Sequence, residues 1–191
     1  MQDRDVELLK ERITTYFNLE LAAADEMIAI ASHVRPDQAT LVPERREEVT
    51  TEGGLDVRSD PERIRSAIQR LSAAGIGVSL FVDPDIRVVE QCKALGVPAI
   101  ELHTGSYANR PTDPSTLDAL RAAARRAFEL GLSVHAGHGL SLANVGPVAA
   151  IPEIEELNIG HSIISRAIFV GLREAIREIR ETMNAARAVS G

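Results

Sequence analysis

Two carboxylates and one histidine stand where a side chain could transfer protons. Glu20 and Glu101 each follow an apolar run, which predicts positions at strand ends rather than on solvated helices. Carboxylates that crowd at such ends raise one another's pKa and can serve as general acids and bases. The alternative for each is a buried ion pair that only orients the neighbouring loops. His138 lies between Gly137 and Gly139, in backbone that can approach a ligand closely.

Two glycine-containing segments predict a phosphate site. They are Ala-Gly-His-Gly at 136–139 and Asn-Ile-Gly-His-Ser at 158–162, and Ser162 leads directly into a helical pattern. Backbone amides and a helix N-terminus bind phosphate in many parallel α/β folds. Either segment alone could be an ordinary tight turn, but together they indicate a phosphorylated small-molecule substrate.

Six short apolar runs, rich in β-forming residues, alternate with stretches of helical period. This alternation is typical of βα units and a parallel sheet. Three helices are predicted to begin at Asp-Pro pairs, because Asp caps free amides and Pro suits the first helical position: Asp60-Pro61, Asp83-Pro84 and Asp113-Pro114. A single amphipathic helix is predicted over 163–188. The predicted strands are 16–19, 39–42, 78–82, 99–102, 133–136 and 157–159.

The strand starts recur about every 28 residues, a spacing at which eight units would make a (β/α)8 barrel of the TIM type. The 191 residues hold about six units, so we expect one incomplete barrel domain that lacks its first two βα elements. Such a chain is expected to be inactive and poorly behaved, with two unpaired edges beside an aliphatic interior. The alternative fold is an open doubly wound sheet of six strands.

The composition of the chain narrows the classes of function and partner that it could have. The net charge of −7 argues against nucleic acid and anionic membranes as partners, and no run is long enough for a membrane span. The single cysteine, Cys92, is read as an ordinary packed thiol, and the polar N-terminus does not resemble a signal peptide. We expect a cytoplasmic protein that acts on small molecules. His33, near a predicted helix end, is read as structural.

The longest predicted loop, residues 44–56, is polar and contains the pair Gly53-Gly54. A long loop after a strand with a possible glycine hinge suggests a lid that excludes water from a site. A solvated excursion held by salt bridges is the alternative.

Six motifs in this order resemble those of the pyridoxine 5′-phosphate synthase family, and they span nearly the whole chain. They are NLE at 18–20, LVPE at 41–44, VTTEGGLD at 49–56, ELHTG at 101–105, AGHGL at 136–140 and LNIGH at 157–161.

The resemblance implies a barrel enzyme of vitamin B6 biosynthesis, a transferase that forms homo-oligomers and needs neither metal nor organic cofactor. It would condense 1-deoxy-D-xylulose 5-phosphate with 3-amino-2-oxopropyl phosphate to pyridoxine 5′-phosphate, phosphate and water. By motif, Glu20 resembles a general acid/base, Glu101 a stabiliser of charged intermediates and His138 a proton donor. The residues that would contact substrate are Thr50 on the deoxyxylulose phosphate and Gly139, Gly160 and His161 on the aminoketone phosphate.

The chain also departs from that family. Members carry an Asn-x-Asp-His motif on a first strand and an Arg- and His-rich segment after a second, and neither is present here. Truncation, an internal start codon or a misassigned start would explain the difference. Two other interpretations stay open: a non-catalytic remnant that binds phosphate esters, and a metal-dependent barrel enzyme with ligands among Glu20, Glu101, His103, His138 and His161.

Overall fold

A computed structural model describes residues 2–43 and 53–190. Its centre is one sheet of six parallel strands, each paired with the next strand in the chain. This order has no point at which the strand sequence reverses, so the doubly wound alternative is wrong and the barrel-type α/β fold is confirmed. The strands are β1 (Asn18–Ala22), β2 (Gln38–Val42), β3 (Gly77–Val82), β4 (Ala99–His103), β5 (Ser133–Gly137) and β6 (Glu156–Asn158).

One helix precedes β1, helices lie between the strands, and two more helices follow β6. Within the described residues they are α1 (Asp3–Arg12), α2 (Asp25–Val34), α3 (Pro61–Ala73), α4 (Ile86–Leu95), α5 (Gly105–Asn109), α6 (Pro114–Glu129), α7 (Val145–Ala149), α8 (His161–Val170) and α9 (Leu172–Ser190). The predicted single helix over 163–188 is therefore wrong. Gly171, with φ +82°, separates α8 from α9 in a conformation that glycine adopts readily.

Two of the three predicted Asp-Pro helix starts are confirmed. Asp60 accepts a hydrogen bond from the amide of Arg63, and Asp113 accepts one from the amide of Ser115. The third is wrong, because α4 begins two residues later, where Asp85 accepts from the amide of Arg87 over 2.8 Å. The carboxylate of Asp83 is thereby released from capping and turns toward the sheet.

The two faces of the sheet differ in chemistry. On the outer face, neighbouring strands align five buried aliphatic side chains in one row under the helices: Leu21, Leu41, Leu80, Ile100 and Val134. Since alternate residues point to opposite faces, the intervening positions form the inner face. The inner face is rich in polar groups, and Thr40 links Gln38 to Asn18 through its hydroxyl. The prediction of an aliphatic interior is therefore wrong, because the aliphatic side chains of the strands pack under the helices on the outer face.

The first strand lies further along the chain than predicted. The run 16–19 was expected to be the strand, but β1 occupies Asn18–Ala22. Asp37 fixes this start, since its carboxylate accepts from the amide of Phe17 over 2.9 Å. Glu20 is therefore in the middle of β1 on the inner face, not beyond the strand end. Glu101 is likewise inside β4.

β1 and β6 form the two edges of the described sheet, and each pairs with one neighbour there. Among the described residues, no helix is long and apolar enough to cross a membrane.

Candidate active site

Glu101 is the most buried carboxylate of the inner face, with 2% of its surface exposed. Its Oε2 accepts a hydrogen bond of 2.8 Å from Nδ2 of Asn158 on β6. Burial, and after it the negative charge of Glu20, raise its pKa to about 8. The carboxyl group of Glu101 therefore holds a proton at neutral pH.

Glu20 lies across the sheet from Glu101. The strand register aligns Glu20 with Thr40, Ser79 and Ala99, and Glu101 is two residues beyond Ala99 on the same face. Unlike Glu101, Glu20 is exposed. Two carboxyl groups thus share one face, one buried and neutral and the other open to solvent. Such a difference in environment suits a division into acid and base roles.

His138 follows β5 in a left-handed backbone conformation, with φ +86°, that non-glycine residues rarely adopt. Thr104 holds this turn, because its hydroxyl lies 2.6 Å from the carbonyl oxygen of Gly137 and 2.5 Å from that of His138. The strained turn directs the imidazole toward the end of β4, where its ring centroid is 5.0 Å from that of His103. Backbone strain held by such contacts is common at functional sites.

The two segments predicted to bind phosphate are neighbours in space. The hydroxyl of Ser162 in α8 donates to the carbonyl of Leu140 over 2.6 Å and so ties the segments together. Gly139 has φ +75° and packs so closely on Ala108 that a methyl group there would lie 2.7 Å from that side chain. Gly160 precedes α8 and has open space around it, and His161 is exposed as the first residue of that helix.

Thr50, and most of the predicted lid, lie outside the described residues. The last part of this loop is described, and the backbone at Gly54 is not free to act as a hinge. The amide of Gly54 donates to Asp83 over 2.9 Å, and a methyl group at Gly54 would lie 2.5 Å from Cα of Val82. Glycine is required at this position because the loop backbone presses against the end of β3.

The sequence matches a known family along almost all of its length. The family model described as pyridoxal phosphate biosynthesis protein PdxJ matches residues 1–185. The chain belongs to the PdxJ family. A pyridoxine 5′-phosphate synthase from Synechococcus sp. (strain JA-2-3B'a(2-13)) is 54% identical over 186 residues, which cover 96% of this chain and 78% of that relative. One from Thioalkalivibrio sulfidiphilus is 52% identical and covers 98% of this chain and 77% of its own length.

Solved structures agree on the fold. A 4-hydroxy-2-oxoglutarate aldolase/2-deydro-3-deoxyphosphogluconate aldolase from TTHB1 superimposes with a TM-score of 0.59 at 18% identity. The match covers 100% of this chain and 78% of that one. At this identity the likeness concerns the barrel-type fold alone.

The structure shows contacts of other residues in this candidate site that the sequence did not predict. Asn158, Thr104 and Gly137 were visible at strand ends, but nothing in the sequence pairs Asn158 with Glu101 or gives Thr104 its two carbonyl contacts. Asp83 was taken for a helix cap, although it contacts His103. The strand order, in which the fourth and sixth strands flank the fifth, is the signal that could have found the Asn158 contact.

The five side chains considered for a metal centre do not form one among the described residues. No three His, Cys, Asp or Glu side chains there are grouped closely enough to hold a metal ion. Glu101 is bonded to an amide and His103 to a single carboxylate. The metal-dependent alternative thus has no ligand set in this part of the chain.

Proposed function

We propose that this chain carries the catalytic part of the barrel of a pyridoxine 5′-phosphate synthase. The reaction condenses 1-deoxy-D-xylulose 5-phosphate with 3-amino-2-oxopropyl phosphate and releases phosphate and water. Family membership supports this assignment, and the observation that carries it is the pair Glu20 and Glu101 on one inner face with opposite environments. A condensation with loss of water needs both proton removal and proton delivery, which two such carboxyl groups can share.

In this proposal Glu20 is the general acid/base, because solvent reaches it and it faces the interior. Glu101, protonated at neutral pH and held by Asn158, donates a hydrogen bond to the negative charge that develops on substrate oxygen. His138 acts as the proton donor from the rim, since imidazole titrates nearest neutral pH of all side chains.

The phosphate groups are assigned to the rim loops. Gly139, Gly160 and His161 would hold the aminoketone phosphate, because a Cβ atom added at Gly160, just before α8, would meet nothing within 4 Å. Thr50 would contact the deoxyxylulose phosphate. Backbone amides and a helix N-terminus need no metal or organic cofactor for this task, so none is proposed.

We also propose that the six strands belong to a closed eight-stranded barrel, with two further βα units between β6 and β1. Two unpaired edges in the described sheet support this closure. Large apolar side chains on α8 and α9 stay exposed, with Ile168 and Phe169 at 80% and 81%. Exposure on this scale supports assembly with the added units and with further copies as a homo-oligomer.

The test of the catalytic assignment is turnover by Glu20→Gln and His138→Asn. Both are made in a version with two βα units from the Synechococcus relative joined ahead of Met1. We expect Glu20→Gln to lower kcat by about 10²- to 10⁴-fold, because an amide keeps the shape but transfers no proton. His138→Asn should lower kcat more than it raises KM. The matched controls are Glu26→Gln and His33→Asn, two exposed positions on α2.

Formation of pyridoxine 5′-phosphate from the two substrates is the readout. Turnover within threefold of the parent would remove Glu20 from its role, and a change in KM alone would make His138 a binding residue. The 191-residue chain is assayed alongside. If it binds both phosphate esters while the extended version also lacks turnover, the phosphate-binding remnant is the better interpretation.

A further inference from the structure

The end of β3, the end of β4 and the turn after β5 bring three side chains into a row: Asp83, His103 and His138. Oδ1 of Asp83 lies 3.2 Å from Nδ1 of His103, and the ring of His103 contacts that of His138. We propose that Asp83 and His103 are positioning residues, which hold the imidazole of His138 in a fixed direction at the rim of the sheet. This inference rests on the proposed role of His138 as proton donor.

Asp83 is fixed by two backbone hydrogen bonds in addition to its contact with His103. Its Oδ1 also accepts the amide hydrogen of Gly54, and its backbone carbonyl accepts from the amide of Asp85 over 2.8 Å. The hydrogen bond with His103 lowers the pKa of Asp83, which is therefore a carboxylate at neutral pH. A carboxylate only accepts hydrogen bonds, so Nδ1 of His103 carries the proton that it donates.

The ring of His103 has little freedom. It is 4% exposed, and it meets Phe81 edge to face with centroids 5.1 Å apart. With Nδ1 donating to Asp83 and one edge on Phe81, the remaining side of the ring faces the start of α5 and His138. Because Asp83 is fixed, it also fixes the ring of His103 at the rim of the sheet.

Gly105 gives the two imidazoles room to meet. A methyl group at this position would lie 2.6 Å from Nε2 of His103 and 3.4 Å from Cδ2 of His138. Gly105 opens α5 without a positive φ, so its lack of a side chain serves the packing of these rings and not the backbone. Gly105 and the imidazole rings of His103 and His138 therefore pack together as one cluster.

This arrangement fixes the direction of the His138 imidazole. The contact between the rings, with planes at 56°, limits rotation of His138 about its side-chain bonds. Because His103 is itself bonded to Asp83, the carboxylate supports this direction through the intervening ring. A proton donor needs a defined direction toward the group that it protonates.

The experiment compares Asp83→Asn, Asp83→Glu and His103→Phe in the extended version. Asp83→Asn keeps the shape and removes the charge, and His103→Phe keeps a packed ring and removes both nitrogens. We expect each to lower kcat by about 10- to 100-fold with KM within about twofold, as for other residues that orient a functional imidazole. Asp83→Glu should restore part of the loss. The control is Asp85→Asn, which removes a neighbouring carboxylate that caps α4.

The second readout needs no turnover. The imidazole of His138 is observed by NMR in the parent, in Asp83→Asn and in Asp85→Asn. We expect changed ring chemical shifts of His138, compared at one pH, only in Asp83→Asn, because the ring of His103 is then no longer held by the carboxylate.

Equal ring chemical shifts of His138 in all three proteins would overturn the inference. So would a loss of kcat in Asp83→Asn no larger than in Asp85→Asn. If the parent makes no pyridoxine 5′-phosphate but the His138 ring shifts still change in Asp83→Asn alone, the positioning stands and the proposed function fails. If His138→Asn abolishes turnover while Asp83→Asn changes neither readout, the function stands and the positioning fails.

Discussion

Asn158 on β6 reaches over β5 to Glu101 on β4, with 2.8 Å between its Nδ2 and Oε2 of the carboxyl group. Gly137 on the intervening strand makes this contact possible. A methyl group there would overlap Oε1 of Glu101 and lie 2.9 Å from the carbonyl oxygen of Asn158. The position of the buried carboxyl group thus depends on three adjacent strands.

Gly137→Ala is expected to lower turnover of the extended version by about tenfold to a hundredfold. The added methyl group must move Glu101 or Asn158, and displacements of about 1 Å in an active site can cost this much. Gly146→Ala is the control, because its methyl group would meet only an ordinary contact at 3.8 Å. Steady-state kinetics and a thermal melt are the measurements. Turnover equal to that of the control would contradict the role of Gly137.

Glu101→Gln is expected to change how stability depends on pH. The pKa of Glu101 is about 8 in the fold against an ordinary 4.5, so the folded state holds a proton that the unfolded chain releases between these values. The parent should therefore lose stability as pH rises from about 4.5 to 8, and an uncharged glutamine avoids this loss. At pH 9 the variant should be more stable than the parent by several kcal/mol, and near pH 4 by little.

Urea unfolding at pH 4, 7 and 9 checks this expectation, with the exposed Glu26→Gln as control. A difference between variant and parent that stays constant over this range would mean that the pKa of Glu101 is the same in the folded and unfolded states.

Gly160→Val is expected to weaken binding of phosphate esters without disturbing the fold. Nothing lies within 4 Å of a Cβ atom added there, and the residue has an ordinary negative φ of −115°. The bulk would fill the space that phosphate oxygens need at the start of α8. Calorimetry with each substrate measures the effect, and the thermal melt verifies the fold. Unchanged affinity for both esters would remove the phosphate site from this loop.

Arg187→Met is expected to destabilise the fold by about 1–3 kcal/mol. The guanidinium Nη1 donates to the carbonyl oxygens of Ala149, Ile151 and Ile154, and Nη2 donates to that of Pro152, all within 2.8–3.1 Å. These bonds join α9 to the segment before β6, and methionine cannot donate. Arg187→Lys should recover only part of the stability, because one ammonium cannot span four carbonyls.

Urea unfolding of these two variants and of Arg180→Met, an exposed position on the same helix, is the measurement. A loss of stability in Arg180→Met equal to that in Arg187→Met would show that any arginine of α9 contributes as much.

Much of this protein follows from local features of its sequence. The number of described strands, their parallel order and the helix starts at Asp60 and Asp113 were all predictable, because strand period and capping involve residues close together in the chain. The family motifs also identified Glu20, Glu101 and His138 as the residues to inspect. At Asp83 the same capping rule led to the wrong partner, since Asp85 competes for the same helix start.

Only the tertiary structure decided how these groups act on one another. The raised pKa of Glu101 needs burial and the charge of Glu20, which lies 81 residues earlier in the chain. The contacts of Asp83 with His103 and of Asn158 with Glu101 join different strands. Sequence patterns report which residues favour a strand or a cap, whereas pKa and side-chain contact depend on distances across the sheet, which exist only once the strands have paired.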